Sequence, residues 1–305
     1  PGCKEIYAPL LVGLNRLVWV VRVALKRFDF SLKQKIYVLI TNNKKMNLNL
    51  KHKNALVCGS TQGIGKAAAI ALASEGVNVT LVARNEAKLK AVIETLQNPE
   101  NHDYIVADFM NPTELKSTVE SYILNNHGFH ILVNNTGGPR SGPIIDASLE
   151  AFESAFTQHL KCNHVLAQLT VPFMKEVSYG RIINVISTSV KEPIEGLGVS
   201  NTIRNAVGNW SKTLSFELGR FGITVNNVLP GFTETERLNE IIKVKAKQAK
   251  TSIEEMAAIM KTHTPAKRFA KPEETANAIV FLASEAASYI NGVNIPVDGG
   301  RTKSL

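Results

Sequence analysis

From position 54 onward, short apolar runs alternate with stretches whose apolar residues recur every three or four positions. The short runs, at 55–58, 77–82, 104–107, 131–133, 181–186, 223–228 and 293–296, read as strands. Between them the spacing predicts helices over 64–74, 86–96, 112–124, 149–175, 202–218 and 272–283. In the 202–218 segment Ile203, Ala206, Val207, Trp210, Leu214 and Leu218 share one face. The strands are almost continuously apolar instead of alternating. Such strands are buried on both faces, which predicts a parallel sheet covered by helices on each side. The expected fold class is α/β, a doubly wound parallel sheet in a single domain. No internal repeat or low-complexity linker divides it.

The front of the chain does not fit this pattern. Leu14, Leu17, Val18, Val21 and Leu25 fall on one helical face, but Asn15, Arg16 and Arg22 interrupt the apolar run. The run is too short and too charged for a membrane span and lacks a small-residue cleavage site. One reading is a basic amphipathic helix lying on a membrane surface. The favoured reading takes Met46 as the natural start, with residues 46–305 as the domain and 1–45 as a non-native or disordered extension. Membrane association is therefore not expected.

Charge follows the same division. Residues 1–45 hold nine basic and two acidic side chains and so supply +7 of the net +9. The body is close to neutral, and the overall basicity is no signal for nucleic acid. Cys3, Cys58 and Cys162 are isolated, with no paired spacing. That usage predicts a reducing compartment, the cytoplasm, with no structural disulfide and no metal site. The run of lysines over 243–250 reads as the solvated face of a helix.

The chemistry begins at "CGSTQGIG", residues 58–65, which follows the first strand and opens the first helix. Gly59, Gly63 and Gly65 permit a tight turn and close approach of a pyrophosphate to a helix N-terminus, as in Rossmann-type dinucleotide folds. The second strand ends "LVARN". An acidic residue here would bind ribose hydroxyls and select NAD. The chain has Ala83 and then Arg84, and a guanidinium suits a 2′-phosphate. The expected cofactor is NADP(H).

The glycine loop, with Cys58 at a threonine position, resembles that of the short-chain dehydrogenase/reductase family, and the likeness runs over residues 52–300. "VADF" at 106–109, "NNTGG" at 134–138, "NNVLPGFTET" at 226–235 and "VDGG" at 297–300 match the family's later motifs in order and spacing. The resemblance implies a dinucleotide site built from Gly59, Ser60, Gln62, Gly63, Ile64 and Gly65. It adds Asp108 at the adenine, Asn135 and Gly137 in the fourth-strand motif, and Pro230, Gly231, Phe232 and Thr235 around the nicotinamide. It also implies a homodimer or homotetramer formed through the two long helices, and a small carbonyl or alcohol substrate, with 3-oxoacyl compounds as one candidate. The segment 232–264 would be a mobile lid.

Family chemistry runs through Asn, Ser, Tyr and Lys, and here three of the four differ. "RIINVIS" places Ser187 at the serine position. The Tyr-x-x-x-Lys pair becomes "SNTIR", with Ser200 and Arg204. His159 stands where the asparagine belongs, and Thr136 replaces the alanine of Asn-Asn-Ala-Gly. Neither Tyr179 nor Tyr289 has a lysine four residues later, so no other tyrosine completes the pattern. The match is to a divergent branch labelled 3-oxoacyl-carrier-protein reductase-like. Ser200 is a poor general acid, and Arg204 holds its charge and fits ribose binding. His159 is the candidate replacement acid, since an unperturbed imidazole titrates near 6.5. Arg140, in the loop after the fourth strand, would favour an anionic substrate. Two readings compete: an oxidoreductase with an atypical site, and a non-catalytic NADP(H)-binding protein or redox sensor. A third, elimination or isomerisation, has no positive sequence support.

Overall fold

The computed structural model describes residues 46–304, so both readings of the basic segment 1–45 lie outside the described residues. Seven strands form one sheet: β1 (Asn54–Cys58), β2 (Asn78–Ala83), β3 (Asp103–Val106), β4 (Ile131–Asn134), β5 (Gly180–Val185), β6 (Ile223–Pro230) and β7 (Asn294–Val297). All pairings are parallel, in the order β3-β2-β1-β4-β5-β6-β7. The order reverses between β1 and β4, and in open α/β sheets ligands bind outside the carboxyl ends of the strands at such a point.

The helices are α1 (Gly63–Ser74), α2 (Glu86–Ile93), α3 (Pro112–Asn125), α4 (Leu149–Phe156), α5 (Cys162–Glu176), α6 (Gly198–Leu218), α7 (Glu236–Ala249), α8 (Ile253–Thr262) and α9 (Pro272–Ala283). Two core layers explain the apolar strands. Ala55, Val57, Ile131, Val133 and Ile183 face α1, α2 and α9. Leu56, Cys58, Leu132, Ile182 and Val225 face α3, α5 and α6. Adjacent residues of one central strand thus enter opposite cores, and across these strands neither face is left for polar alternation.

Several elements differ from the periodicity. The 149–175 helix contains a π-helical turn over Thr157–Lys161, between α4 and α5. Such insertions are frequent at functional sites, and this one carries His159 inward to 2% exposure. Helix α6 begins four residues earlier than expected, because Gly142 and the 196–198 loop exchange backbone bonds of 2.7 and 3.2 Å that fix its entry. Ser200 therefore lies inside its first turn. The 232–264 segment is mostly α7 and α8, which close a small core of their own through Leu238, Ile242, Met256, Met260 and Phe269.

One feature of the sheet is polar. Asn134, Asn184, Asn227 and Asn294 stand at one register on four adjacent strands. Their amides link in series, Asn134 Nδ2 to Asn184 Oδ1 at 2.8 Å, Asn184 Nδ2 to Asn227 Oδ1 at 2.9 Å, and Asn227 Nδ2 to Asn294 Oδ1 at 2.7 Å. Asn184 also donates to Ser211 Oγ of α6 at 3.2 Å. Buried polar groups are tolerated when partnered in this way. The ladder ties four adjacent strands together across the sheet.

Candidate active site

At the carboxyl ends of the strands lies a cleft of about 1950 Å³. That exceeds the usual volume of a single small-ligand pocket, roughly 300–1,000 Å³, and leaves room for a dinucleotide and a second molecule.

One end is built by the glycine loop. Gly59 and Gly63 have φ of +58° and +54°, the left-handed region open to glycine. A Cβ on Gly65 would stand 2.2 Å from the Gly59 carbonyl oxygen, and one on Gly59 would stand 2.4 Å from that of Asn135. The loop is thus backbone packed on backbone. The Asn135 amide secures it, donating to the Cys58 and Gly59 carbonyls at 3.3 and 3.2 Å. Helix α1 has no side-chain cap at Gln62 and no acid in its first turn. Its N-terminal N–H groups are left for an anion, beside Gly63 and Ile64 in the cleft wall. Nothing lies within 4 Å of where a Gly137 Cβ would be. This is a cradle that fits a pyrophosphate.

Of the loop residues, Ser60 does not face the cleft. It is fully buried, and its hydroxyl accepts from Val82 N at 3.1 Å and reaches Val82 O at 3.5 Å, tying the loop to β2. Gly65 likewise supports from behind. Ala83 at the end of β2, Arg84, Lys88 and Asp108 line the cleft, and among the described residues neither Arg84 nor Lys88 forms an ion pair. Gly59, Gln62, Asn135, Gly137, Pro230, Gly231, Phe232 and Thr235 all line the same cleft. Thr235 also caps α7, its hydroxyl accepting from Leu238 N at 3.3 Å.

At the other end the structure brings together Ser187, Ser200 and Arg204. Ser187 Oγ accepts from Ser189 N at 3.1 Å, which leaves its O–H free to donate outward. Ser200 is half-buried and lines the cleft from the first turn of α6. Arg204 is buried, donating from Nη1 to Val185 O at 2.9 Å and from Nη2 to Thr136 O at 3.5 Å, while its Nε has no partner. Burial, then the charge of Arg237, pulls its pKa down to about 10. It stays a cation at neutral pH.

His159 does not line the cleft. Its Nδ1 lies 2.5 Å from Thr136 Oγ1, and its Nε2 is buried without a partner. Burial, then the Arg204 charge, holds its pKa well below the ordinary imidazole value. A neutral imidazole sealed behind Thr136 positions that residue and is poorly placed to give a proton to anything in the cleft. Thr136 and His159, the positions where the resemblance implies alanine and asparagine, are thus in contact with each other. That pairing was open to a sequence reading, since both departures were visible. Arg140 is exposed and lies outside the cleft lining, whereas Arg237 and Arg301 line it. Sequence reasoning missed both, because they follow the Thr235 and Gly300 motifs with no signature of their own. Among the described residues no group of three or more His, Cys, Asp or Glu could hold a metal ion. No described helix is long and apolar enough to cross a membrane.

Residues 59–302 match a family model described as enoyl-(acyl carrier protein) reductase. The chain is 31% identical to the NADPH-dependent reductase BacG of Bacillus subtilis, over 84% of this chain and all of that protein. It is 33% identical to the 3-oxoacyl-[acyl-carrier-protein] reductase FabG of Aquifex aeolicus, over 84% of this chain and 99% of that one. Among solved structures, L-sorbose reductase from Gluconobacter frateurii, complexed with NADPH and L-sorbose, superposes with a TM-score of 0.80 at 32% identity. That match covers 85% of this chain and all of the other.

Proposed function

The chain belongs to the short-chain dehydrogenase/reductase family, and we propose that it is an NADP(H)-dependent oxidoreductase acting on a carbonyl or alcohol. The observation that carries this reading is a single cleft with a glycine cradle and a carboxylate-free Arg84 at one end and Ser187 and Arg204 at the other. The α1 N-terminus would hold the pyrophosphate, and Arg84 with Lys88 a 2′-phosphate. Asp108 would meet the adenine. Arg204 would meet the nicotinamide ribose, and the 230–235 turn with Thr235 the carboxamide. Two relatives are described with NADPH, which supports the choice of cofactor.

When bound, the nicotinamide supplies or accepts a hydride at the substrate carbon. The protein's part is to place the substrate and manage its oxygen. Ser187 donates to that oxygen. Arg204 holds a fixed positive charge behind the site, where negative charge grows during reduction. Ser200, through its hydroxyl, passes a proton between the oxygen and water. A phenol would do this better, and lack of a matched acid costs about 10²–10⁴ in rate. Turnover is therefore slow by the standard of the family. The sealed, neutral His159 and the weak acid Ser200 equally suit a non-catalytic NADP(H)-binding protein, and activity separates the two readings. Self-association belongs to the proposal, since α6 leaves Phe216 77% exposed and α4 leaves Leu149 76% exposed. Sizing of the full chain tests it.

The test is NADPH consumption against a panel of ketones, aldehydes and 3-oxoacyl thioesters. Wild type should turn over at least one, and Ser187→Ala should lower kcat about a hundredfold. NADPH binding with no turnover across the panel would favour the non-catalytic reading.

A further inference from the structure

Besides Ser187 and Ser200, the substrate end of the cleft is lined by three guanidiniums, Arg204, Arg237 and Arg301. Their charges are poorly compensated. Arg204 meets only carbonyl oxygens. Arg237 donates from Nη2 to Pro139 O at 2.6 Å, and its one acid is Glu240, at 3.3 Å and 65% exposed. An exposed pair of that kind neutralises little. Arg301 donates to Thr188 Oγ1 at 3.3 Å, next in sequence to Ser187, and its guanidinium stands 4.4 Å from the Phe232 ring centre. Asp298 and Glu192 lie near enough to be felt by Arg301. Yet Asp298 is occupied by the N–H groups of Gly300 and Thr302 at 2.9 and 2.7 Å, and Glu192 accepts from Lys303 N. Neither forms an ion pair with Arg301 among the described residues.

Cations gathered in a partly buried cleft repel one another and are costly to desolvate. An anion in their midst relieves both effects. Phosphates of a dinucleotide would be met at the loop and by Arg84. The loop also touches the start of α7, where Thr235 Cγ2 lies 3.1 Å from the place of a Gly63 Cβ, so loss of NADPH binding in Arg237→Gln would assign that arginine to the cofactor and overturn its part in the inference below. Glu195 and Glu236 are the acids at this end, one on the exposed 193–197 loop and one in the first turn of α7.

We infer that the substrate is a small oxo acid, with its carboxylate held by Arg237 and Arg301 while its oxo group lies against Ser187. The inference rests on the hydride-transfer reading above. Hydride passes from NADPH to the carbonyl carbon, and a proton from water, through Ser200, reaches the carbonyl oxygen. The oxo acid becomes a hydroxy acid and NADPH becomes NADP⁺. Arg is the side chain suited to this task, since its planar fork matches a carboxylate.

The experiment compares pyruvate, acetoacetate, 4-oxopentanoate and 5-oxohexanoate with their methyl esters, using the full chain. NADPH binding is measured in parallel by nicotinamide fluorescence. The expected result is at least tenfold higher kcat/KM for one or more acids over the matching ester. That preference, read as the acid-to-ester ratio of kcat/KM within each variant, should collapse toward unity in Arg237→Gln and Arg301→Gln. Equal rates for acid and ester, ester preference, or an acid preference that survives both substitutions would overturn the inference. So would tight NADPH binding with no turnover of either series, which leaves the cofactor site standing. Failure to bind NADPH at all would instead overturn the reading on which the inference rests.

Discussion

His159 is the residue on which a sequence reading and the structure part most sharply, and its titration can be measured without a substrate. The imidazole is 2% exposed, its Nδ1 pairs with Thr136, and its Nε2 has no acceptor to receive a second proton. Burial first, and then the Arg204 charge, hold its folded pKa well below 6.5. In the unfolded chain the same ring titrates near 6.5. Below that pH the unfolded state binds a proton that the folded state refuses. Stability contributed by this group is thus complete above about pH 6.5 and is lost as pH falls toward the folded pKa. The loss between pH 7 and pH 5 reaches at most about 2 kcal/mol, the limit at which the folded state takes up no proton over that range. The assay is urea unfolding of wild type and His159→Gln at both pH values. Glutamine keeps an amide for Thr136 but cannot titrate. Wild type should lose more than the variant, by up to about 2 kcal/mol. Equal losses in the two proteins would refute the burial argument and return His159 to the list of proton donors.

Two further outcomes follow from packing. Gly65→Ala drives a Cβ into the Gly59 carbonyl, 2.2 Å away; the loop must shift, and NADPH affinity should fall at least tenfold by fluorescence titration. Asn184→Leu removes the middle of the asparagine ladder and leaves Asn134 Nδ2, Asn227 Oδ1 and Ser211 Oγ without that partner; unfolding should cost about 3 kcal/mol less, at the lower end for three buried orphaned groups, and a loss under about 1 kcal/mol would show that water or a neighbour replaces the amide.

The sheet was legible because its central strands carry apolar residues on both faces, as in Ala55 with Leu56 and Ile131 with Leu132, and a doubly covered parallel sheet buries both. The glycine loop was legible because close backbone approach at Gly59 and Gly65 admits no other residue. The asparagine ladder was not, since periodicity counts Asn as polar and cannot see three neighbours at the same register on other strands. The π turn was invisible for a related reason: one extra residue in a helix leaves the apolar spacing around it nearly intact, yet it turns His159 into the interior. Ser60 was read by its place in a motif, while its hydrogen bonds to Val82 are a matter of distance. The arginines at 237 and 301 are brought to the cleft by the α7 N-terminus and the chain's last turn, which are remote from Ser187 in sequence.

The central claim is that this cleft holds NADP(H), with Arg84 choosing the phosphorylated form. The direct measurement is a fluorescence titration of the full chain with NADPH and, in parallel, NADH, repeated for Arg84→Ala. NADPH should bind at least tenfold more tightly than NADH, and Arg84→Ala should reduce that ratio about tenfold by weakening NADPH alone. Binding of neither nucleotide, or equal binding of both unaffected by Arg84, would contradict the account.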